Sequence, residues 1–180
     1  APVNHESKVL IISPTASGPR VTLDENGKVR PFIFKLSSND SSQGLAMATF
    51  SRQSLKANTA VIYIDKNSNY SKRAARNFEE KFIQAGGRIL SQQSYHQEDK
   101  DFKETLLKIK ATNPDVIFIP GYFQEVGIIM KQSRELGIKN FILGGDGWDS
   151  PQLATSAGKE NIENTFFCND FSTTDSNPKV

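Results

Sequence analysis

Short apolar segments alternate with longer, periodically apolar segments from Ala60 onward. A continuous apolar run is typical of a strand buried on both faces, and apolar residues every three or four positions are typical of an amphipathic helix. The apolar segments predict five strands: AVIYI (60–64), RILSQQSY (88–95), VIFIP (116–120), FIL (141–143) and TFFC (165–168). Four of the five are continuously apolar, which favours a parallel sheet covered by helices on both faces.

Helices are predicted between these strands, and several of them end at residues that stop a helix. The predicted helices cover 71–85, 101–112 and 124–136, with a shorter one that has Ser150 as N-cap and Pro151 at its first position. Gly86 and Gly137 follow two of these segments, where glycine adopts the left-handed backbone that ends a helix. Strands joined by single helices, about 25 residues apart, predict an α/β fold with a doubly wound parallel sheet.

The first 59 residues do not continue this alternation. Two apolar strands, VLIIS (9–13) and FIFKL (32–36), are joined by a loop with a DENGK turn and precede a helical segment at 41–55, with Asp40 as its cap. VLII is continuously apolar and needs cover on both faces, and nothing else in 1–36 can provide it. We therefore expect 1–36 to be part of a further α/β lobe, in a chain that is a fragment.

Composition and charge exclude several classes of protein. Apolar residues make up 37% and charged residues 23%, and the net charge is +2 with both signs interspersed, so the chain is globular without a strongly basic nucleic-acid surface. No apolar run reaches the roughly 18 residues of a membrane helix, and the N-terminus lacks signal-peptide features, although a precursor could carry them. The single cysteine, Cys168, is expected in the core, and His5 and His96 without cysteine partners form no structural zinc site.

Four loops that follow predicted strands carry polar and aromatic residues from which a site could be built. They are SPTASGP (13–19), DKNSNYS (65–71), PGYFQE (120–125) and GGDGWDS (144–150). Ligands of open parallel sheets bind beyond the carboxyl ends of the strands, where these loops converge. Each loop also has a structural interpretation: a turn of small residues, a helix cap at Asn69 or Ser71, aromatic packing by Tyr122 and Phe123, and a solvated turn aspartate at 146.

The loop from Gly144 to Pro151 contains three glycines, two aspartates and the only tryptophan of the chain. Glycine at this density loses backbone entropy and side-chain packing, so it indicates close approach of another group. Gly145 and Gly147 flank Asp146 and would let a ligand reach its carboxylate.

Enzymatic motifs are missing from the sequence. No phosphate-binding GxxxxGKS or GxxxxGKT segment and no GxSxG elbow occurs, GGDGWD lacks the last glycine of the GxGxxG dinucleotide fingerprint, and neither histidine lies in the four loops listed above. Asp65, Asp146 and Asp149 could bind Mg²⁺ for phosphoryl transfer, but no lysine or DxD arrangement accompanies them. We expect a protein that is not an enzyme and uses no cofactor or metal.

Several segments in the same order resemble the type I periplasmic binding proteins, and more narrowly the branched-chain amino-acid binding proteins of ABC importers. They are ISPTASGP, RPFIFKLSSNDSSQG, DKNSNYSKRAARNF, PGYFQEVG and GGDGWDSPQL, within a likeness that extends from Val9 to Lys179. The resemblance implies two α/β lobes that close around a ligand in the cleft between them. It implies that 1–36 ends the first lobe, that 37–171 is nearly all of the second, and that 172–180 is a linker returning toward the hinge.

The resemblance also implies a ligand site composed of Thr15, Ser17, Tyr70, Tyr122, Asp146 and Trp148. Thr15 and Ser17 would hold the α-carboxylate of an amino acid through a backbone amide and a hydroxyl. Tyr70 and Tyr122 would close over the ligand, and Asp146 would pair with its α-ammonium. Trp148 would add an apolar wall, or alternatively pack at the base of its loop.

The function implied by this resemblance is that of a solute-binding protein, located in the periplasm or outside the cell. It would bind an amino acid or a related small solute and deliver it to a membrane ABC permease. The alternative function is that of a ligand-sensing receptor or regulatory domain on the same fold. The third function considered is that of a Mg²⁺-dependent phosphoryl-transfer enzyme.

Overall fold

A computed structural model of the chain describes residues 8–170. The chain divides into two compact units, Ala1–Asp40 and Ser41–Val180, which are described separately here. The predicted linker 172–180 lies outside the described residues.

The first unit contains a pair of parallel strands, β1 (Ile11–Ser13) and β2 (Ile33–Lys35). Both were predicted from their apolar runs, and they are shorter than those runs. In the DENGK turn between them, the Asp24 carboxylate accepts hydrogen bonds from the backbone N–H groups of Asn26 (2.9 Å) and Lys28 (2.8 Å). Aspartate side chains stabilise turns in this way.

The second unit contains a five-stranded sheet in the order β4-β3-β5-β6-β7, with every neighbouring pair parallel. Its strands are β3 (Thr59–Asp65), β4 (Arg88–Tyr95), β5 (Val116–Phe118), β6 (Phe141–Gly144) and β7 (Thr165–Phe167). Parallel neighbours require crossover connections, and a helix lies in each of them. The predicted doubly wound α/β fold is confirmed.

The α-helices within residues 8–170 are α1 (Asp40–Gln53), α2 (Asn69–Gln84), α3 (Lys103–Thr112), α4 (Phe123–Glu135) and α5 (Pro151–Ala157). Gly86 (φ 81°) and Gly137 (φ 75°) adopt the left-handed backbone beyond the ends of α2 and α4, as predicted. Two predicted caps are corrected. Ser68, rather than Asn69 or Ser71, is the N-cap of α2, because its hydroxyl accepts a hydrogen bond from the backbone N–H of Ser71. Asp40, predicted as the cap of α1, is instead the first residue of that helix.

The core of the second unit lies on both faces of the sheet. Alternate residues of β3 point to opposite faces: Val61 and Tyr63 join the cluster packed on α3, α4 and α5, whereas Ala60 and Ile62 join the cluster packed on α1 and α2. All four side chains are buried, which explains why the strand is apolar without alternation.

The last strand departs from the expectation of full burial. In the described part of the chain β7 pairs only with β6, so it is an edge strand. Phe166 and Phe167 are consequently 38% and 41% exposed, although the apolar run TFFC favoured a strand covered on both faces. An apolar run predicts a strand, but it does not show whether that strand lies at the centre or at the edge of the sheet.

Candidate functional site

Three of the predicted site residues meet beyond the carboxyl ends of β3, β5 and β6. Tyr70 begins α2, Tyr122 precedes α4, and Asp146 opens a 3₁₀ turn (Asp146–Trp148) after β6. The rings of Tyr70 and Tyr122 lie 5.5 Å apart between centroids at an angle of 35°. The Tyr70 hydroxyl interacts in turn with the Asp146 carboxyl group. The parallel sheet therefore brings together residues from three loops that are distant in sequence.

Gln43 is a member of this cluster that the sequence analysis did not identify. Its side-chain Oε1 accepts a hydrogen bond from the Tyr70 hydroxyl (3.1 Å) and another from the backbone N–H of Asp146 (3.2 Å). Gln43 is 5% exposed and lies four residues before buried Met47, on the same face of α1. A polar residue on the apolar face of a predicted helix was the signal that could have identified it.

The glycines of the loop make room for atoms of the protein itself. A Cβ at position 145 would collide with the Tyr70 hydroxyl and Gln43 Oε1, and a Cβ at position 147 would lie 2.6 Å from the carbonyl oxygen of Gly121. Protein atoms therefore fill the space that side chains at 145 and 147 would occupy, which is a sufficient reason for glycine there, and the path for a ligand to Asp146 stays a prediction. The reason is tight packing, which sequence cannot reveal.

The Asp146 carboxyl group is half-buried, and its electrostatic environment is mixed. Burial raises its pKa above the ordinary value, and the negative charge of Asp170 adds to the rise. Hydrogen-bonding groups of Gln43, Tyr70 and the Gly147 backbone oppose it. A carboxylate that has lost part of its hydration gains from a cationic partner, so the site favours a ligand with a positively charged group.

The two tyrosines differ in exposure and therefore in what they can do. Tyr70 is 6% exposed, and burial together with the nearby negative charge of Asp146 raises its pKa, so its hydroxyl is protonated and can donate. Tyr122 is 39% exposed, so part of its ring can still be covered by a ligand. The pair therefore supplies one accessible aromatic surface and one buried hydroxyl, whose hydrogen is donated to Gln43 and whose oxygen can still accept.

Trp148 lies at the base of the loop. It is 1% exposed, its indole N–H donates to the carbonyl oxygen of Ile119 (3.1 Å), and its ring covers Gly144 so closely that a Cβ there would collide with it. Of the two roles considered for Trp148 from the sequence, these contacts favour packing at the base of the loop over an apolar wall for the ligand. Trp148 supports the loop from below, and in this conformation its ring offers almost no surface to a ligand.

The predicted carboxylate-binding loop belongs to the first unit. The hydroxyl of Ser13 accepts a hydrogen bond from the backbone N–H of Ala16 (3.1 Å), which closes the turn. The ammonium group of Lys35 donates to the carbonyl oxygen of Ser17 (3.1 Å), so a positive charge that the sequence analysis missed lies beside this loop. Thr15 is exposed and Ser17 is half-buried. Turns of this kind, with amides and hydroxyls near a cation, suit an anion.

Across residues 8–170, no group of three or more His, Cys, Asp or Glu side chains is arranged to hold a metal ion. Of the aspartates considered for Mg²⁺, Asp65 is buried and accepts from the backbone N–H of Asn67 (2.8 Å), whereas Asp149 is exposed and accepts from the side chain of Asn169 (2.5 Å).

None of the helices in this part of the chain is long and apolar enough to span a membrane.

Comparison with known proteins identifies the family. Residues 1–180 match the model of the family described as "Periplasmic binding protein". The chain belongs to this family. Among curated relatives, the Leu/Ile/Val-binding protein homolog 3 of Brucella melitensis biotype 1 is 29% identical over 166 residues, which are 91% of this chain and 43% of that protein. The leucine-specific-binding protein of Salmonella typhimurium is 27% identical over 156 residues, 87% of this chain and 41% of that protein.

Solved structures agree with the family. A leucine-binding protein of Thermotoga maritima is 34% identical with a TM-score of 0.89, covering 98% of this chain and 49% of that one. A second structure is a branched-chain amino-acid transporter substrate-binding protein of Streptococcus pneumoniae, solved with isoleucine. It is 32% identical with a TM-score of 0.86, and the match covers 96% of this chain and 47% of that one. The resemblance stated from the sequence is confirmed, and the chain spans less than half of each of these relatives.

Proposed function

We propose that this chain is part of the solute-binding protein of an ABC importer, which binds an amino acid or a related small solute. The observation that carries the proposal is the cluster of Asp146, Tyr70 and Tyr122, where a partly desolvated carboxylate lies beside a phenol donor and an accessible aromatic ring. Relatives named for leucine, isoleucine and valine support an aliphatic amino acid as the ligand.

Each polar group of an amino acid has a proposed partner. The α-ammonium pairs with Asp146, and the α-carboxylate is held by Thr15 and Ser17 of the first lobe. Tyr122 covers the ligand, and the hydroxyl oxygen of Tyr70, whose hydrogen is donated to Gln43, can accept from the ammonium group. Trp148 supports the loop instead of contacting the ligand, because it is 1% exposed. A charge-assisted contact at each end fixes the orientation of the ligand.

The proposed division into lobes is 1–36 as the end of the first lobe, 37–171 as nearly all of the second, and 172–180 as the linker toward the hinge. Exposed apolar residues on β1 and β2 and beside them support a first lobe whose remaining sheet is supplied by further chain: Leu10 (62%), Ile12 (58%), Phe34 (52%) and Leu36 (76%). Closure of the two lobes would then bury the ligand and present the protein to a membrane permease, in the periplasm or outside the cell.

The test of this function is Asp146→Asn in the whole protein, measured by isothermal titration calorimetry with leucine, isoleucine and valine. The substitution keeps the shape and removes the charge, so we expect affinity to fall by about 2–5 kcal/mol, as when one partner of a buried charge pair is removed. Asp149→Asn, in the same loop but exposed, is the matched control and should bind as the wild type does. Wild-type protein that binds no amino acid would contradict the function.

A further inference from the structure

Gln43 joins two of the proposed ligand-binding residues through one side-chain atom. Its Oε1 accepts from the hydroxyl of Tyr70 (3.1 Å) and from the backbone N–H of Asp146 (3.2 Å), at a residue that is 5% exposed. A backbone N–H can only donate, so the atom facing it is the amide oxygen, and the orientation of the Gln43 side chain is thereby fixed.

The fold holds the start of α1 against these loops by close packing. A Cβ at Gly44 would meet the carbonyl oxygen of Ala74 and would lie 2.9 Å from the backbone nitrogen of Phe78, so α1 and α2 are in backbone contact beside Gln43. The backbone carbonyl of Gln43 also accepts from the thiol of Cys168 (3.9 Å). The side chain of Gln43 therefore extends from a backbone that is anchored on two sides.

The same hydrogen bonds also fix the position of the amide nitrogen of Gln43, Nε2. With Oε1 committed, Nε2 is the remaining atom; it is buried and makes no hydrogen bond of ordinary length within the described residues. The Oε1 contact with the backbone N–H of Asp146 places the amide beside this residue, and the Gln43 side chain lowers the pKa of the Asp146 carboxyl group. A buried NH₂ group without an acceptor is costly, which favours the conformation of Asp146 that accepts from it.

We propose that Gln43 is a positioning residue of the ligand site, which holds the Asp146 carboxylate and the Tyr70 hydroxyl relative to each other so that they receive one ligand ammonium group. This inference rests on the proposed amino-acid-binding function. Gln43 itself does not touch the ligand; its effect is exerted through Asp146 and Tyr70.

The test is Gln43→Met in the whole protein, which keeps the length of the side chain and removes both ends of the amide. The probes are leucine and 4-methylpentanoate, which is leucine without its amino group, titrated by calorimetry. We expect the Kd for leucine to rise about 10- to 100-fold, as for outer-shell residues that orient metal ligands, and the Kd for 4-methylpentanoate to stay unchanged. Gln53→Met, at the exposed end of the same helix, is the matched control and should change neither Kd.

A second measurement does not depend on ligand binding. The pKa of Asp146, followed by carboxyl ¹³C NMR in unliganded protein, should rise in Gln43→Met and stay unchanged in Gln53→Met. If Gln43→Met does not fold, Gln43→Glu retains an acceptor and adds a like charge, and it should raise both the Asp146 pKa and the leucine Kd.

Two sets of outcomes separate the inference from the function on which it rests. Equal weakening of leucine and 4-methylpentanoate, an unchanged leucine Kd, or an unchanged Asp146 pKa would overturn the positioning role. A wild type that does not bind leucine would instead count against the proposed function, and the NMR measurement would then decide the role of Gln43 by itself.

Discussion

At the scale of single residues, the protein itself withdraws the Asp146 carboxyl group partly from water. Burial raises its pKa, and the groups of Gln43, Tyr70 and Gly147 only oppose that rise. The charged form is therefore less favourable in the folded protein than in the unfolded chain, where the pKa has its ordinary value. A ligand ammonium would reverse this by supplying the missing opposite charge.

The pH dependence of stability and of binding should consequently run in opposite directions. Because the folded-state pKa of Asp146 is raised, the folded protein binds more protons between the ordinary and the raised pKa, and stability falls as pH rises through that window. Affinity for leucine should rise over the same window, because only the ionised carboxylate pairs with the ammonium. Urea unfolding and calorimetry at a series of pH values measure both, and Asp146→Asn should lose both dependences. A stability contribution that increases with pH in this window would contradict the assignment.

At the scale of elements, a close contact between two helices brings Gln43 to the proposed site. Gly44 permits α1 and α2 to approach until their backbones touch, and this brings Gln43 to Tyr70 at the start of α2. Glycine inside a helix costs about 1 kcal/mol relative to alanine, so its presence in α1 is explained by packing and not by helix propensity.

We therefore expect Gly44→Ala to destabilise the protein although alanine is the better helix former. The added methyl group meets backbone atoms of Ala74 and Phe78, which cannot move as a flexible side chain would, and overpacking of this kind costs about 1–3 kcal/mol. Thermal or urea unfolding measures the change. Ser42→Ala, exposed in the same turn of α1, is the control and should be neutral or slightly stabilising. A more stable Gly44→Ala protein would show that the two helices can separate without cost.

At the scale of the whole molecule, the described residues of the second unit form a five-stranded sheet with core clusters on both faces, whereas those of the first unit form two strands. A two-stranded sheet has little stability of its own. The proposed anion-binding residues Thr15 and Ser17 belong to the smaller unit, and the proposed cation-binding residue Asp146 belongs to the larger one.

This division predicts that the 180-residue chain binds leucine much more weakly than the whole protein does. Affinity depends on burying most of the ligand between two preformed walls, and the chain spans 49% of a leucine-binding relative. We expect at least about a 100-fold difference in Kd, since Thr15 and Ser17 lie beside a two-stranded sheet that has little stability of its own and would hold the ligand carboxylate poorly. Calorimetry on both proteins measures it, with circular dichroism to establish that the chain is folded. Equal affinities would mean that the 180-residue chain already contains the complete site.

The sequence by itself determined the α/β class and the succession of strands and helices, and it indicated the loops on which the proposed site lies. Apolar runs and helical periodicity are local properties, so β4 was predicted at its observed bounds, 88–95, and the ends of α2, α3 and α4 within about two residues. The meeting of Tyr70, Tyr122 and Asp146 follows from a general rule, because the carboxyl ends of parallel strands share one edge of the sheet.

Only the tertiary structure decided what each of these residues contacts. Gln43 and Asp146 are 103 residues apart in sequence, and no local pattern links them. The packing role of Trp148, the edge position of β7 and the reason for glycine at 145 depend likewise on which segments become neighbours. Hydrophobic patterning records whether a residue is buried, whereas the partner it is buried against is fixed by packing across the whole sheet.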